Sequence, residues 1–408
     1  MKILRISTGI FPVPPVAGGA VERFIYDLSN SLAREGIEEH LIANLGENAY
    51  FDRRIVPHQI GRAKLSFTAG FYGWILNFVI GSLLVSRAAI ESLLIHRDRY
   101  DIIHGHDLLS TLLLLAIRKI LGSKAFSTPI VFTIHGSTQR SVPYRGFKEF
   151  VCCVGNALNR LVWKNADHLI ALGSVPRKEL VEDWRIPENR ISVVTPGVDT
   201  DFFRPSTELA AHITRRHRIR DRYCLFVGRL SPAKGPQFLL SALRDIDIRC
   251  ILVGDGQYRR ELQEMARNLG ISKRVEFRGL LPFSEIRPVY AGADLFVLPT
   301  LKEGSPLVIL DAMASGLPII SSKVSGVVDA VVDGYNGFTV VPGDIIGLRE
   351  KILTLTTDVT LRRVMGARSR RLATEQFDWH KIAVKTISVY KEVLEGVRMK
   401  RRSLKVQT

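Results

Sequence analysis

The feature that most constrains the fold of this chain is an alternation of short apolar strands with amphipathic helices, which occurs twice along the sequence. The first series has helix patterns at 20–35 and at about 175–184, and strand patterns at 2–8, 39–45, 102–104, 130–135, 168–172 and 191–195. The second series has strands at 224–227, 250–253, 275–278, 294–298 and 318–321, with helices at 236–244, 257–269, 284–291 and 305–315. Strands joined by helices form parallel sheets covered on both faces. The sequence therefore predicts an α/β protein with two Rossmann-like domains.

The domain boundaries follow from the same pattern. A length of 408 residues exceeds what one hydrophobic core usually organises. Between residues 200 and 222 the apolar periodicity gives way to a charged stretch that contains a proline, which we interpret as the linker. We predict an N-terminal domain of residues 1–200 and a C-terminal domain of residues 201–378. Because ligands bind at the carboxyl ends of parallel strands, we expect the two sheets to face each other across a ligand-binding cleft.

Two loops of the second domain carry the residue types of a phosphate site. The first, V-G-R-L-S-P-A-K-G at residues 227–235, directly follows a strand. Gly228 permits a sharp turn, and Arg229 and Lys234 place two cations on one loop ahead of a helix. A diphosphate suits this pair, because arginine offers a fork of donors and lysine a point charge. Alone, the loop also fits two solvated cations, so the interpretation depends on the second loop.

The second loop is E-G-S-P-L-V-I-L-D at residues 303–311, after the strand at 294–298. It begins with Glu303, and we expect Asp311 about two turns inside the following helix. A turn that leads into a helix presents backbone N–H groups and the positive end of the helix dipole to an anion. Two carboxylates beside such a site suit a nucleotide sugar, which has phosphates in the middle and hydroxyl groups at both ends. Gly304, Ser305 and Pro306 are expected to open this helix.

The first domain contributes glycines and histidines near strand ends. Gly18 and Gly19 precede the helix at 20–35, where they fit either a plain flexible turn or a loop that approaches donor phosphates. His135 ends a strand at the expected ligand edge, and we predict that it is functional rather than structural.

Metal ions and further cofactors are not indicated. His104 and His106, with Asp107, form an H-x-H-D run that is able to bind metal, but no complementary ligand cluster accompanies it, so we expect these residues to line the acceptor side or to pack there. The D-x-D pattern of Asp245 and Asp247 lies between a helix and the next strand, at the sheet edge away from ligands. A complete G-x-G-x-x-G unit for a dinucleotide is missing. We therefore expect no metal and no cofactor besides a nucleotide-sugar co-substrate.

The charge of the chain bears on its partners. A net charge of +17 favours an anionic partner, but no recognition motif accompanies it, so we expect no nucleic acid. The uncharged segment at 67–86 has the length of a membrane span. Three interpretations stay open: a buried helix, a membrane span, or a monotopic segment whose end with Phe71, Tyr72 and Trp74 enters the lipid interface. The basic charge makes an anionic membrane surface a candidate partner.

The compartment is suggested by the cysteines and the N-terminus. The four cysteines include no C-x-x-C pattern, which predicts reduced thiols in a reducing compartment. The chain opens on a strand pattern, and we see no signal peptide. Together with the basic charge, these features predict a cytoplasmic protein at the inner face of the cell membrane.

With these motifs in place, the chain resembles the retaining GT-B glycosyltransferases of glycosyltransferase family 4 over nearly its whole length. The resemblance rests on the joint order of G-G-A-V-E at 18–22, Y-D-I-I-H-G-H at 100–106, V-F-T-I-H-G at 131–136, S-V-V-T-P-G-V-D at 192–199, V-G-R-L-S-P-A-K-G at 227–235, L-V-G-D-G at 252–256 and the E-x7-E-like run at 303–311. In this last run Asp311 replaces the usual second Glu, which shortens the side chain by one methylene and keeps its charge.

The resemblance implies a role for each matching residue. Arg229 and Lys234 match the pair that neutralises the leaving diphosphate, and Glu303 matches the carboxylate beside the donor sugar. His135 matches the histidine that faces this sugar, and Asp311 the acid that contacts the nucleotide ribose. The loop amides that contact sugar and phosphate are matched by those of the donor-binding residues Gly304, Ser305, Pro306, Leu307 and Val308. The glycine pair matches the donor-phosphate loop, and a C-terminal helix at 379–408 is expected to complete the first domain.

The implied activity is metal-independent sugar transfer with retention, from a nucleotide-diphosphate sugar to an acceptor hydroxyl. A glycan or lipid-linked glycan in envelope polysaccharide or glycolipid synthesis is the expected acceptor. Two other functions stay open, namely a catalytically inactive GT-B binding subunit and a nucleotide-sugar epimerase of the same fold. The intact Arg229, Lys234, Glu303 and His135 argue against the first, and the second would need further acid–base groups near the sugar.

Overall fold

The structure is a computed structural model that describes residues 1–15, 19–46, 49–60, 70–95, 99–125, 127–135, 147–209 and 222–406. The chain divides into two compact units, the first formed by Met1–Thr195 with His380–Thr408 and the second by Pro196–Trp379. Each unit contains one sheet, and every pairing between its described strands is parallel. The predicted α/β class is confirmed.

The first unit is built on a sheet whose described strands follow the order β3-β2-β1-β4-β5-β6-β7. These strands are β1 (Lys2–Ile6), β2 (Glu38–Ala43), β3 (Ile55–Gln59), β4 (Ile102–Gly105), β5 (Ile130–Ile134), β6 (His168–Ala171) and β7 (Ile191–Val193). The helices between them are α1 (Ala20–Arg34), α2 (Gly70–Ile90), α3 (Leu108–Ala125), α4 (Phe147–Asn165) and α5 (Ser174–Glu182). The strand order reverses between β1 and β4, so the loops that follow these two strands lie at a topological switch point, where ligands bind in open α/β sheets.

The second unit has a sheet with the described order β10-β9-β8-β11-β12-β13. Its strands are β8 (Tyr223–Val227), β9 (Arg249–Val253), β10 (Val275–Gly279), β11 (Leu295–Leu298), β12 (Ile319–Ser322) and β13 (Gly337–Val340). Its helices are α6 (Pro236–Ala242), α7 (Arg259–Asn268), α8 (Phe283–Ala291), α9 (Leu307–Ala314), α10 (Ile345–Thr357) and α11 (Val359–Gln376). The order reverses between β8 and β11, and these are the strands that precede the two predicted phosphate loops. The C-terminal helix α12 (Trp379–Val406) belongs to the first unit from His380 onward.

The central strands are buried along nearly their whole length and are mostly apolar, because helices cover both faces of each sheet. In β8 all five residues are buried, and so are four of the five in β9. Every residue of β4, β5 and β6 in the first unit is also buried. A conspicuous exception is Arg5 in β1, a charged residue that is fully buried.

Two edge strands and one helix boundary are among the elements that differ from the sequence patterns. β3 contains Pro57 and β13 begins with Gly337, and both residues weaken a strand pattern although sheet edges tolerate them. Helix α9 begins at Leu307 instead of residue 305. Asp311 therefore lies little more than one turn from the helix start, and the expectation of two turns is wrong.

Candidate active site

Two loops at the switch point of the second sheet are bonded to each other. The backbone N–H of Leu301 donates to the carbonyl of Ala233 at 2.8 Å. The hydroxyl of Thr300, which is buried, lies 3.0 Å from the same carbonyl. These contacts connect the loop after β11 to the loop after β8. Sequence reasoning missed Thr300, because a polar residue after a strand is too common to be a signal.

Gly235 lets these loops approach closely. Its φ is +74°, and a Cβ atom at this position would lie 1.8 Å from the carbonyl oxygen of Pro299. Only glycine fits such a contact in the left-handed region. The preceding short 3-10 helix, Pro232–Lys234, carries the lysine to the end of the loop.

The approach of the loops brings together two predicted catalytic residues that are 69 positions apart in sequence. The ammonium group of Lys234 forms an ion pair with the carboxylate of Glu303. The Lys234 side chain is 29% exposed and that of Glu303 is 11% exposed. A lysine has three N–H donors, so one bond to Glu303 leaves donors for an anion. Arg229 is exposed on the same loop, as expected for a second cation at this site.

The loop at 303–308 lies directly on the backbone of Gly326. The Gly326 N–H donates to the carbonyl of Glu303 at 3.0 Å. A Cβ at this position would lie 2.5 Å from the carbonyl carbon and oxygen of Gly304. Gly326 is therefore part of the site's support. Sequence reasoning missed it, because it follows β12 and lies outside the recognised motifs.

Helix α9 starts directly after this loop. Pro306 is its N-cap residue, and within the described structure no side chain caps the helix. The N–H groups of the first turn, from Leu307 and Val308, are therefore donors suited to an anion. Asp311, predicted to contact a ribose, is buried within α9.

In the first unit, the loop after β1 leads into α1. Gly18 lies outside the described residues. Gly19 is the N-cap residue of α1 and has a left-handed φ of 65°. Beneath the loop, the buried carboxyl group of Glu22 accepts a hydrogen bond from the Thr8 hydroxyl. Burial raises the pKa of Glu22. Glu22 therefore anchors the loop.

His135 directly follows β5, as predicted. Its Nε2 atom lies 2.8 Å from Nδ1 of His106, and its ring makes an edge contact with Phe24 at 5.1 Å between centroids. Burial, together with the positive charge of Arg5, lowers the pKa of His135 to about 3. The imidazole is therefore neutral at physiological pH. It is suited to hydrogen bonding and unsuited to acting as a charged proton donor.

The neighbouring H-x-H-D run packs inside the unit. His104 and His106 are buried, and both contact the guanidinium group of Arg5, at 3.0 and 2.9 Å. Asp107 accepts a hydrogen bond from the Ser110 N–H at 2.8 Å, in the first turn of α3. A guanidinium cation between the two histidines disfavours a metal ion at the same place. Of the two roles expected for these residues, the structure shows packing.

The D-x-D pattern lies where the sequence predicted it. Asp245 and Asp247 fall between α6 and β9, at the amino end of the strand. Asp245 pairs with Arg349 at 3.2 Å. Across the described ranges, no three or more His, Cys, Asp or Glu side chains are grouped so that they could hold a metal ion.

Comparison with protein families accounts for most of the chain. A family model described as Glycosyltransferase Family 4 matches residues 17–202. A second, described as Glycosyl transferases group 1, matches residues 212–372. The second match contains both loops of the Lys234–Glu303 pair.

Whole-length relatives agree with these matches. The D-inositol 3-phosphate glycosyltransferase of Corynebacterium diphtheriae is 28% identical over 421 residues, which cover 96% of this chain and 94% of the relative. Sucrose-phosphate synthase from Thermosynechococcus elongatus has the same fold, with a TM-score of 0.78 at 20% identity, over 97% of this chain and all of that one.

A second solved structure, the Anabaena protein HepE in complex with UDP-glucose, has a TM-score of 0.72 at 20% identity over 95% of this chain and 100% of that chain. The two family domains occur in the expected order, and the structural neighbours share the fold of both units. The chain therefore belongs to the family 4 and group 1 glycosyltransferases and is a glycosyltransferase of the GT-B fold.

Proposed function

We propose that the protein transfers a sugar from a nucleoside-diphosphate sugar to an acceptor hydroxyl, with retention of configuration at the anomeric carbon. The observation that carries this proposal is the Lys234–Glu303 pair, located between two switch-point loops and beside the start of α9. Cationic side chains and a helix N-terminus are suited to a diphosphate, and a carboxylate beside them is suited to sugar hydroxyls. The complex of HepE with UDP-glucose supports this class of donor.

In the proposed reaction, the bond between the anomeric carbon and the diphosphate oxygen breaks. The acceptor oxygen forms its bond on the same face of that carbon, which explains retention without a protein nucleophile. The hydroxyl proton passes to a phosphate oxygen of the departing nucleoside diphosphate. Arg229 and Lys234 stabilise the negative charge that grows on this leaving group, which is a contribution to catalysis by electrostatics.

The remaining predicted residues receive binding roles in this proposal. Neutral His135 donates a hydrogen bond to the donor sugar, and Glu303 accepts from its hydroxyl groups. Gly19 approaches the donor phosphates, and Asp311 contacts the ribose. A glycan or a lipid-linked glycan is the proposed acceptor.

A panel of UDP-, GDP- and ADP-sugars tests the function on the full-length chain. We expect one nucleotide to raise the melting temperature and its sugar to be transferred to a glycan or glycolipid acceptor, with NMR showing a retained anomeric configuration. A changed sugar formed without acceptor would indicate the epimerase. Nucleotide binding without turnover on a broad acceptor panel would favour the binding subunit, and an inverted product would refute retention.

Transfer is expected to continue in excess EDTA. The physical reason is that Arg229 and Lys234 supply positive charge where other enzymes use a metal ion, while the D-x-D pattern lies at the amino end of β9. Initial rates with and without chelator should agree within about twofold. If a metal ion stabilised the transition-state charge, its removal would lower the rate by about 10²-fold or more. Loss of activity in EDTA that Mg²⁺ or Mn²⁺ restores would contradict the metal-independent mechanism.

We also propose that the protein is cytoplasmic and attaches peripherally to the membrane through α2, α3 and α4. In α2 the polar Ser82 and Ser86 are buried, whereas Leu76 and Leu83 are 59% and 60% exposed. At these four positions the distribution of polar and apolar side chains is the reverse of that expected for a helix that faces water. Within the described residues, Leu76–Leu93 of this region is the one window long and apolar enough to cross a membrane, with a mean hydropathy of 1.4. The side chains of Phe71, Tyr72 and Trp74 lie outside the described residues.

The two adjacent helices also expose apolar side chains. α3 packs against α2 and α4, and Ile120 of α3 is 82% exposed. Leu161 of α4 is also exposed. The exposed cations nearby in sequence include Lys119 of α3 and both Arg160 and Lys164 of α4. Exposed apolar side chains with cations close to them in sequence match the chemistry of an anionic lipid surface.

The full-length protein is expected to sediment with anionic vesicles, and salt should weaken this binding only in part. Salt screens the cations, whereas the free energy of apolar insertion is not screened. The double variant Leu83→Ser with Ile120→Ser should lose the salt-resistant fraction. Ile346→Ser is the matched control, since this residue of α10 is 72% exposed in the second unit. A wild-type protein that stays in the supernatant at low salt would show that α2 does not contact lipid.

A further inference from the structure

Arg5 is a charged residue at the centre of the first sheet, and the roles assigned above do not explain it. It lies in β1, directly paired in register with His104 of β4, and its side chain is fully buried. The other buried positions of β1 are apolar. Burial of an unpaired charge costs much free energy, so the contacts of this side chain must compensate it.

The guanidinium group uses all five of its N–H donors. Nε and Nη2 donate to the two carboxylate oxygens of Glu39, at 2.8 and 3.0 Å. Nη2 also donates to the hydroxyl of Tyr390 at 3.3 Å, which links the group to α12. The two remaining N–H groups, both on Nη1, point at Nδ1 of His104 (3.0 Å) and Nε2 of His106 (2.9 Å). Glu39 neutralises the charge of Arg5, and each N–H donor of the guanidinium group has an acceptor.

The proton positions on the histidines follow from this geometry. A guanidinium group cannot accept a hydrogen bond, so Nε2 of His106 must be the acceptor and must lack a proton. A neutral imidazole then carries its proton on Nδ1. This Nδ1 atom lies 2.8 Å from Nε2 of His135, so it donates and Nε2 of His135 accepts. By the same reasoning, the proton of a neutral His135 is on Nδ1.

We propose that Arg5 is a positioning residue that fixes His135 as the neutral Nδ1–H tautomer, acting through His106. The proposal rests on the role proposed for His135 at the donor sugar. In this arrangement Nδ1–H of His135 donates to a substrate oxygen, and the ring does not accept a proton from the acceptor hydroxyl. Arg5 and His106 do not touch the substrate in this scheme; they set the ring's proton and its direction.

A purely structural role for Arg5 makes a different prediction. An apolar side chain of similar volume, introduced together with a neutral partner for Glu39, often preserves or increases stability. If Arg5 served only to fill space, this exchange would leave the state of His135 unchanged. The tautomer is therefore the property that separates the two explanations.

The first experiment is ¹H–¹⁵N NMR of the full-length protein labelled at histidine. Two-bond and three-bond correlations distinguish a protonated ring nitrogen from an unprotonated one. We expect Nδ1 to be protonated and Nε2 unprotonated in both His106 and His135. The groups that face His135 are His106 after β4, Phe24 of α1 and, beyond them, Arg5 with Glu39. We expect the pattern to persist from pH 5.5 to 8, and a proton on Nε2 of His135 would overturn the proposal.

The second experiment tests the cause. In the double variant Arg5→Met with Glu39→Leu, both tautomers of His135 should appear, and kcat/KM for the donor should fall about 10- to 100-fold with little change in melting temperature. If this variant does not fold, Arg5→Lys keeps the buried charge but cannot present the same fork. An unchanged His135 spectrum in a folded variant would contradict the role of Arg5. The spectra need no substrate, so they test the role of Arg5 independently of sugar transfer. The activity assays test the proposed function separately.

Discussion

Replacement of Lys234 by Ala is expected to reduce kcat by about 10²- to 10³-fold, because the variant lacks a preorganised cation where the charge of the leaving diphosphate develops. The fold should be retained, although the loss of stability should exceed that of a solvent-exposed ion pair, because Glu303 is only 11% exposed and loses its partner. Steady-state kinetics with the identified donor and a thermal melt of the same preparations measure the two effects. Lys234→Arg should recover part of the activity, because the charge is kept while its position changes.

The matched control for this experiment is Lys273→Ala. Lys273 is an exposed lysine of the same unit, located between α7 and β10. Its replacement removes one positive charge from the unit and leaves the loop before α6 untouched. Equal losses in both variants would point to a general effect of net charge, and near-normal turnover of Lys234→Ala would remove this residue from the mechanism.

Gly326→Ala is expected to reduce kcat/KM by about 10²-fold although this residue carries no functional group. The added Cβ would lie 2.5 Å from the backbone of Gly304, so the loop that carries Glu303 has to move. A displacement of about 1 Å at a site of this kind can cost about 10²-fold in rate. Overpacking should also lower stability by about 1–3 kcal/mol, which calorimetry or a thermal melt measures.

Gly155→Ala serves as the control for this substitution. Gly155 lies in α4, and a Cβ there meets no atom within 4 Å. The Gly155→Ala variant should therefore have the activity of the wild type. If Gly326→Ala also had wild-type activity and stability, the contact between residues 304 and 326 would not hold the loop in place.

The buried histidines make the first unit sensitive to acid. Burial lowers the pKa of His104 and His106, and that of His135 falls to about 3. Because these values lie below those of the unfolded chain, the unfolded state binds more protons as the pH falls below about 6.5, and folding stability then decreases. The site is thus built to keep His135 neutral under the conditions in which the protein is stable.

Local sequence patterns were sufficient for the class of fold and for several parts of the site. An apolar period of 2 or 3.6 residues is set by neighbours in the chain, so the central strands and the helix after the glycine pair could be predicted. The loop with Arg229 and Lys234 and the loop with Glu303 were each recognisable, because the residues of each motif follow one another closely in the sequence. The edge strands β3 and β13 were missed, since a proline and a glycine hide a strand pattern that pairing with one neighbour still stabilises.

What the sequence determined by itself was therefore the α/β alternation, the two-domain organisation that it predicts, and the identity of the cations, carboxylates and glycines of the candidate site. The tertiary structure decided which of these residues meet. The contacts between Lys234 and Glu303, and between Arg5 and Tyr390 at a separation of 385 residues, join segments that only sheet order and helix packing bring together. The physical reason is that secondary structure depends on neighbours along the chain, whereas a hydrogen bond depends on distance in space, which no local period records.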